Sequence, residues 1–417
     1  MAFPTHPARA PLAGELHARP ALPIAAPARL SRLAMLAPDP VAETAHLAAL
    51  CIAHGVAPPA PGASWFVADF GAFRLRYERH TEFTGWNVQA PGADPAQPFA
   101  TPALDLLPAG WLAALPGQAI AAMHLTLLAR VEELDPDAAR FVPGSVAGAA
   151  IAEGGAQALT DFRLHGDGFT HLLLAGEVGP AVMGRLAQTL WEIETYRALA
   201  LLALPAARAV GPSMAAASER LSALAANLPR LDDLSAERAA LGELAQVAGD
   251  IERANAATAE RFSAAAAYHR LVQRRLEELG EAPLPGLPTL SRFLERRLDP
   301  AMATVAATGT RIAALSLRAA RLVDLLRARV ALAQEAQAEK QLETLAATGR
   351  AQLRLQETVE GLSAAAIAYY LLSLLGYAIK PLPWGGVGTT AEVVLAGAVP
   401  LVAALVWLGI RRQRRAG

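Results

Sequence analysis

The sequence predicts an α+β N-terminal domain, then a long α-helical coiled-coil stalk, then a C-terminal two-helix transmembrane hairpin. Three observations carry this. Short β-type runs separated by turn signals extend to Glu177. From Pro180 onward the pattern is helical without a strand, which sets the helices apart from the sheet in the α+β manner. Two charge-free runs, residues 361–379 and 393–410, close the chain. The expected segments are an extended Pro-rich arm (1–30), a cytoplasmic α+β domain (31–178), the stalk (179–358), the hairpin (359–410) and a basic cytoplasmic tail (411–417).

The arm holds prolines at 4, 7, 11, 20, 23 and 27 and no apolar run, so it does not read as a signal peptide. Residues 28–36 read as a strand. Asp39 and Pro40 then supply an N-cap followed by Pro at the first helical position, with Gly55 placed to end that helix. Strands are expected at 64–70, 73–80 and 82–89, a short helix at 104–115, and further strands at 119–131, 146–152, 159–164 and 169–175. The last two flank His165-Gly166-Asp167-Gly168, a turn sequence.

Helices follow at 180–204 and 214–228, with a break around Pro205 and Gly211-Pro212. The strongest periodic signal is the seam Leu241, Leu244, Ala248, Ile251, Asn255, Thr258, continued through Phe262, Ala265, His269, Val272, Leu276 and Leu279. Its 3,4 alternation keeps one face against a partner helix. Asn255 and His269 in that seam read as register-fixing polar positions. Pro283, Pro285, Gly286 and Pro288 turn the chain, Asp299-Pro300 starts the next helix, and no proline interrupts it before Pro381.

At 1.5 Å per residue the run 361–379 makes a helix of about 28 Å, close to the roughly 30 Å of a bilayer core. Lys340, Arg350 and Arg354 precede it, and Arg411, Arg412, Arg414 and Arg415 follow the second run. The loop 380–392 carries one Lys, so both termini are expected on the cytoplasmic side. Trp384 and Tyr377 suit an interfacial position. Ser363, Tyr370, Ser373 and Tyr377, with Ala366, recur at 3/4 spacing. In lipid such a stripe faces another helix or lines an oligomer axis, so these four are the candidates for helix association or for a pore lining. Ala396, Gly397, Ala403, Ala404 and Gly409 are small partners in the second run.

A net charge of −1 gives no pull toward nucleic acid. The single cysteine, Cys51, excludes an internal disulfide. Only Lys340 and Lys380 are lysines among 37 basic residues, so no Walker A loop exists and no Schiff-base lysine precedes residue 340. His165, Asp167 and His171 are close enough in sequence to share an ion, but G-D-G is first a turn, and no H-E-x-x-H or Cys pair accompanies it. His54 lies three residues after Cys51 and His46 five before it; a buried, inert thiol is the expected reading. Glu132, Glu133, Asp135 and Asp137 read as a solvated loop. Glu194 and Arg197 read as a surface i,i+3 pair beside Glu192, worth about 0.2–0.5 kcal/mol. No nucleophile–base–acid set assembles from spacing, and no cofactor or metal is expected.

E-L-H-A-R-P (15–20), E-R-H-T-E-F (78–83), H-G-D-G (165–168), E-I-E-T-Y-R (192–197) and T-V-E-G-L-S (358–363) together resemble a bacterial family of uncharacterised membrane-anchored proteins, catalogued as domain of unknown function 3422. The resemblance covers nearly the whole chain and implies the bacterial inner membrane but no activity. In architecture the chain is also similar to CorA-type magnesium channels, although their Gly-Met-Asn is here Gly376-Tyr377-Ala378. The leading expectation is a non-enzymatic oligomeric scaffold or sensor whose partners are the bilayer and further copies of itself, without nucleic acid. The alternatives are a CorA-like cation channel with a divergent filter, and a tethered enzyme whose cleft gathers His17, Arg19 and distant carboxylates.

Overall fold

A computed structural model describes residues 5–9, 20–36, 39–231, 233–379 and 390–413. Of the expected arm, residues 1–4 and 10–19 lie outside the described residues, as do loop residues 380–389 with Trp384, and tail residues 414–417. The chain divides into two compact units, Met1–Pro229 with Gly242–Val323, and Arg230–Leu241 with Asp324–Gly417.

The first unit is built on one nine-stranded sheet. In chain order its elements are β1 (Ala28–Leu36), α1 (Pro40–Ala53), β2 (Trp65–Asp69), β3 (Arg74–Arg79), β4 (Phe83–Pro91), β5 (Gln118–Leu128), β6 (Ala147–Ile151), β7 (Ala156–Leu164) and β8 (Thr170–Gly176). Two helices, α2 (Pro180–Leu201) and α3 (Ala203–Asn227), precede α4 (Leu234–Leu279). A two-residue strand β9 (Ala282–Pro283) and the 90-residue α5 (Leu290–Ile379) follow, and α6 (Thr390–Gln413) ends the chain. The strand order is β2-β3-β4-β1-β5-β8-β7-β6-β9. All pairings are antiparallel except β5 with β8, which run parallel.

Alternation along β1 divides its side chains between two layers. Ala28 and Leu30 join the cluster built with Met183, Leu190 and Trp191 of α2, while Leu33 and Met35 pack with Leu47, Leu50 and Cys51 of α1. Each such Leu or Met, fully buried, contributes about 1.5–3 kcal/mol. The α1 start is as expected: Asp39 accepts from the Val41 and Ala42 amides at 2.9 and 3.3 Å.

Several elements differ from expectation, each for a physical reason. The helix expected at 104–115 is two 3-10 turns, Ala103–Leu106 and Leu112–Ala114, because Pro108 and Gly110 lie between them. The break expected from Pro205 to Pro212 falls instead at Leu202, between α2 and α3. Pro205 sits in the first turn of α3, where its missing N–H costs nothing, and Pro212 is accommodated inside the helix. Asp299-Pro300 does not start a helix. The helix begins at Leu290, capped by Thr289, whose Oγ1 accepts from the Arg292 amide at 3.2 Å. Burial of Leu290, Phe293, Leu294 and Leu298 offsets the roughly 3 kcal/mol cost of Pro300. The Pro-rich turn also adds β9 to the sheet edge, pairing Ala149 with Pro283.

Within the first unit α4 packs along α5, and His269 bonds Asp299 at 2.9 Å rather than facing a seam partner of its own kind. Leu244, Ile251, Thr258, Ala265, Val272 and Leu279 are buried, as the seam requires. Between them Val247 and Ala254 are buried in place of Ala248 and Asn255. Lower in α4, Ala265, Val272, Leu276 and Leu279 belong to the same core cluster as the sheet.

Candidate functional site

The parallel pairing of β5 and β8 sets His124 directly opposite His171. The H-G-D-G turn brings in two more groups. It is closed by the His165 amide donating to the Phe169 carbonyl and the Gly168 amide to the His165 carbonyl, both at 2.9 Å. Gly168 has φ +82°, a backbone state that a side chain would disfavour. Asp167 folds back so that one carboxylate oxygen accepts from the Phe169 amide at 2.9 Å and the other from His171 Nε2 at 2.8 Å. His165 stacks on His171 at 3.9 Å and donates through Nε2 to Asp161 at 3.2 Å. Phe99 covers His171 at 4.1 Å, and Phe169 covers His124 at 3.9 Å. A cleft of about 370 Å³ opens beside His165, Asp167, His171, Phe99 and Arg140.

Burial pushes the His124 imidazole down to about 4, against the opposing pull of Asp167. His171 is lowered by the same cause. Burial alone would raise Asp167, but the Phe169 amide and His171 outweigh it and hold the carboxyl below its usual range. At neutral pH this sets two neutral imidazoles, His124 and His171, beside the ionised carboxylate of Asp167. Ser31 Oγ lies 2.8 Å from His124 Nδ1, which gives the residue types of a catalytic triad. Two facts remove that chemistry: Ser31 is 0% exposed, and His124 Nε2 is 3.9 Å from Asp167, beyond a hydrogen bond. Among the described residues no group of three or more His, Cys, Asp or Glu is placed to hold a metal ion.

An acid response follows. An imidazole whose folded value lies below 6.5 leaves the unfolded chain as the better proton acceptor, so stability is full above pH 6.5 and is lost as pH falls toward 4. For His124 this amounts to about 3 kcal/mol at 1.36 kcal/mol per unit. Denaturant unfolding at pH 7 and pH 4.5 is expected to show the loss, and His124→Gln to flatten the slope between them.

A second polar cluster occupies the opposite face, where β1 and β3 meet α2. Arg32 bonds Glu78 at 3.3 Å, and Arg76 bonds it through both Nε, at 2.9 Å, and Nη2. Both guanidiniums lie over the Trp191 ring, at 5.2 and 5.6 Å. Gly85 makes the room: a Cβ there would meet the Arg32 guanidinium at 2.6 Å.

The remaining sequence candidates are dispersed. Cys51 is buried with its thiol pushed up by burial, and His54 packs edge-on against Phe70 and Phe73. Glu133 and Asp135 accept backbone amides within a loop. Glu194 and Arg197 are not a surface pair: the carboxylate is buried and also accepts from Thr170 Oγ1 at 3.0 Å. Ser363, Tyr370, Ser373 and Tyr377 lie on α5 in the second unit, with Tyr370 and Tyr377 67% and 73% exposed. Ser373 Oγ donates to the Tyr369 carbonyl at 2.9 Å. His17 and Arg19 lie outside the described residues. His124, Arg32 and Arg76 carry no sequence motif, and only strand pairing reveals them; Glu78, Glu192 and Glu194 fall inside the motifs E-R-H-T-E-F and E-I-E-T-Y-R.

Among the described residues two stretches are long and apolar enough to cross a membrane, Pro180–Arg230 and Leu290–Ala378. The first supplies core residues of the sheet unit, whereas none of the apolar window of the second is buried. In α6 the stretch Ala396–Gly409 is a shorter apolar segment.

No curated protein and no solved structure matches the chain. The comparisons bring no likeness to magnesium channels. A family profile described as protein of unknown function (DUF3422) matches residues 4–416, and with nearly its whole length covered the chain belongs to that family.

Proposed function

We propose that this protein is a membrane-anchored, non-enzymatic sensor or scaffold. In this reading the end of α5 enters the bilayer, α6 returns through it, and the sheet unit is a binding module. One observation carries the reading. The apolar window of α5 has no buried residue, with Leu362, Ile367, Leu371 and Leu374 all exposed. That much unpartnered apolar surface is unfavourable in water by about 25 cal/mol per Å² and favourable in lipid. The lack of catalysis is supported by the sealed Ser31 and the buried Cys51. Self-association is assigned to the face carrying Ser363, Tyr370, Ser373 and Tyr377, where hydroxyls and small residues suit helix packing in lipid.

Alkaline extraction of membranes tests the anchor. The full chain is expected to stay in the pellet and a chain ending at Gln356 to be released; release of both would remove the reading. Mass measurement in detergent should give an oligomer that Ser373→Leu weakens.

A further inference from the structure

We propose that the concavity between the β7 bulge, α2 and the first turns of α5 binds the phosphate group of a small anionic ligand. The inference rests on reading the sheet unit as a binding module. It begins with a strained residue. The β7–β8 register shifts between Thr160 and Leu164, and within the bulge Phe162 has φ +52°. A bulky aromatic in the left-handed region is disfavoured and persists only where its surroundings enforce it. Here Asp161, 0% exposed, does so by accepting from the Val142 and Arg163 amides, each at 3.1 Å, and from His165. The Phe162 amide donates to Thr160 Oγ1 at 3.1 Å. Bulges of this kind re-aim side chains, and this one sets Phe162 and Arg163 on the same cavity.

What the bulge presents is a pair of stacked rings, each with a guanidinium over it. Phe162 stacks on Phe293 of α5 at 5.0 Å; the Arg197 guanidinium lies 5.3 Å over Phe162, and that of Arg297 3.8 Å over Phe293. Arg197 gives Nε and Nη2 to Glu194, whereas Arg297 gives only one Nη1 contact, to the Phe293 carbonyl at 3.4 Å, which leaves further N–H donors of its guanidinium for an oxyanion. Arg163 adds a third cation to the same cavity, whose volume is about 220 Å³.

The charge does not balance. Arg197 is held by Glu194. Arg163 and Arg297 have no ion-pair partner among the described residues, and the carboxylate of Asp161 is already engaged by three donors. Surplus guanidinium around a small concavity recognises phosphate oxygens by forked, charge-assisted hydrogen bonds. Leu294 and Leu298 offer an apolar wall for a short organic stem. A free phosphate compound and a lipid headgroup share this chemistry.

Isothermal titration of the full chain in uncharged detergent distinguishes them. The probes are inorganic phosphate, glycerol 3-phosphate, and micelles doped with short-chain phosphatidic acid. Saturable binding of at least one is expected, and Arg163→Gln and Arg297→Gln should each weaken it about tenfold or more. Both side chains are exposed, so thermal melts of these variants should match the parent. Arg296→Gln, on the same turn but outside the cavity, should bind as the parent does. Binding of the soluble probes assigns the site to free phosphate compounds; binding of phosphatidic acid alone, lost in the two variants, assigns it to a headgroup. Failure of all three probes to bind, or binding untouched by both substitutions, overturns the proposal. Neither result bears on alkaline extraction, so the anchor and the ligand site fail separately.

Discussion

Glu78→Ala is expected to lower the unfolding free energy by about 3–5 kcal/mol, because it leaves two buried guanidiniums without their shared carboxylate. Burial alone would raise the Glu78 carboxyl, but Arg32 and Arg76 together outweigh it and hold it below its ordinary range. Arg76 is itself lowered by burial, which places the strain of this cluster on its surplus positive charge. Removing the carboxylate adds to that strain, and Trp191 cannot offset it, since a cation–π contact contributes only about 0.5–2 kcal/mol. The sign with pH follows. A depressed carboxyl contributes stability above its unfolded value of 4.5 that is lost as pH falls through the folded value. Urea unfolding checks the substitution, and a loss below about 1 kcal/mol would mean that water reaches the cluster. Replacing Arg32, Arg76 and Glu78 together by apolar residues of similar size should cost much less.

Ile251→Asp is expected to be comparably severe, about 4 kcal/mol or more, through lost packing and an unpaired buried carboxylate in α4. Ile251 is fully buried. The phase of the helix is tested by a pair: Val247→Asp should destabilise strongly and Ala248→Asp only weakly, because Val247 is buried and Ala248 half-exposed. Equal effects on thermal unfolding would contradict the described packing.

What was legible in the sequence was what is written locally. Asp39-Pro40 capped α1, the H-G-D-G turn joined β7 to β8, and strand alternation located β1 to β8 within a few residues. What depended on strands meeting across the sheet was not legible. Glu78 is 46 residues from Arg32, and His124 meets His171 only because β5 and β8 run parallel. The half-shifted seam has a plainer cause. In an Ala-rich helix, Ala248 and Ala254 give periodicity little contrast, and burial of Val247 shifts the phase there. Pro300 does not start α5 because proline marks a helix start only where packing does not favour another, and Leu290, Phe293 and Leu298 supply that packing here.

The central claim is that the exposed apolar end of α5 lies in lipid. Cys51 is the chain's single cysteine, so nitroxides can be placed one at a time in a Cys51→Ala background. In liposomes, a label at Leu374→Cys should collide readily with oxygen and rarely with a water-soluble paramagnetic complex. A label at Arg350→Cys should show the reverse. Equal access of the aqueous complex to both positions would contradict the account.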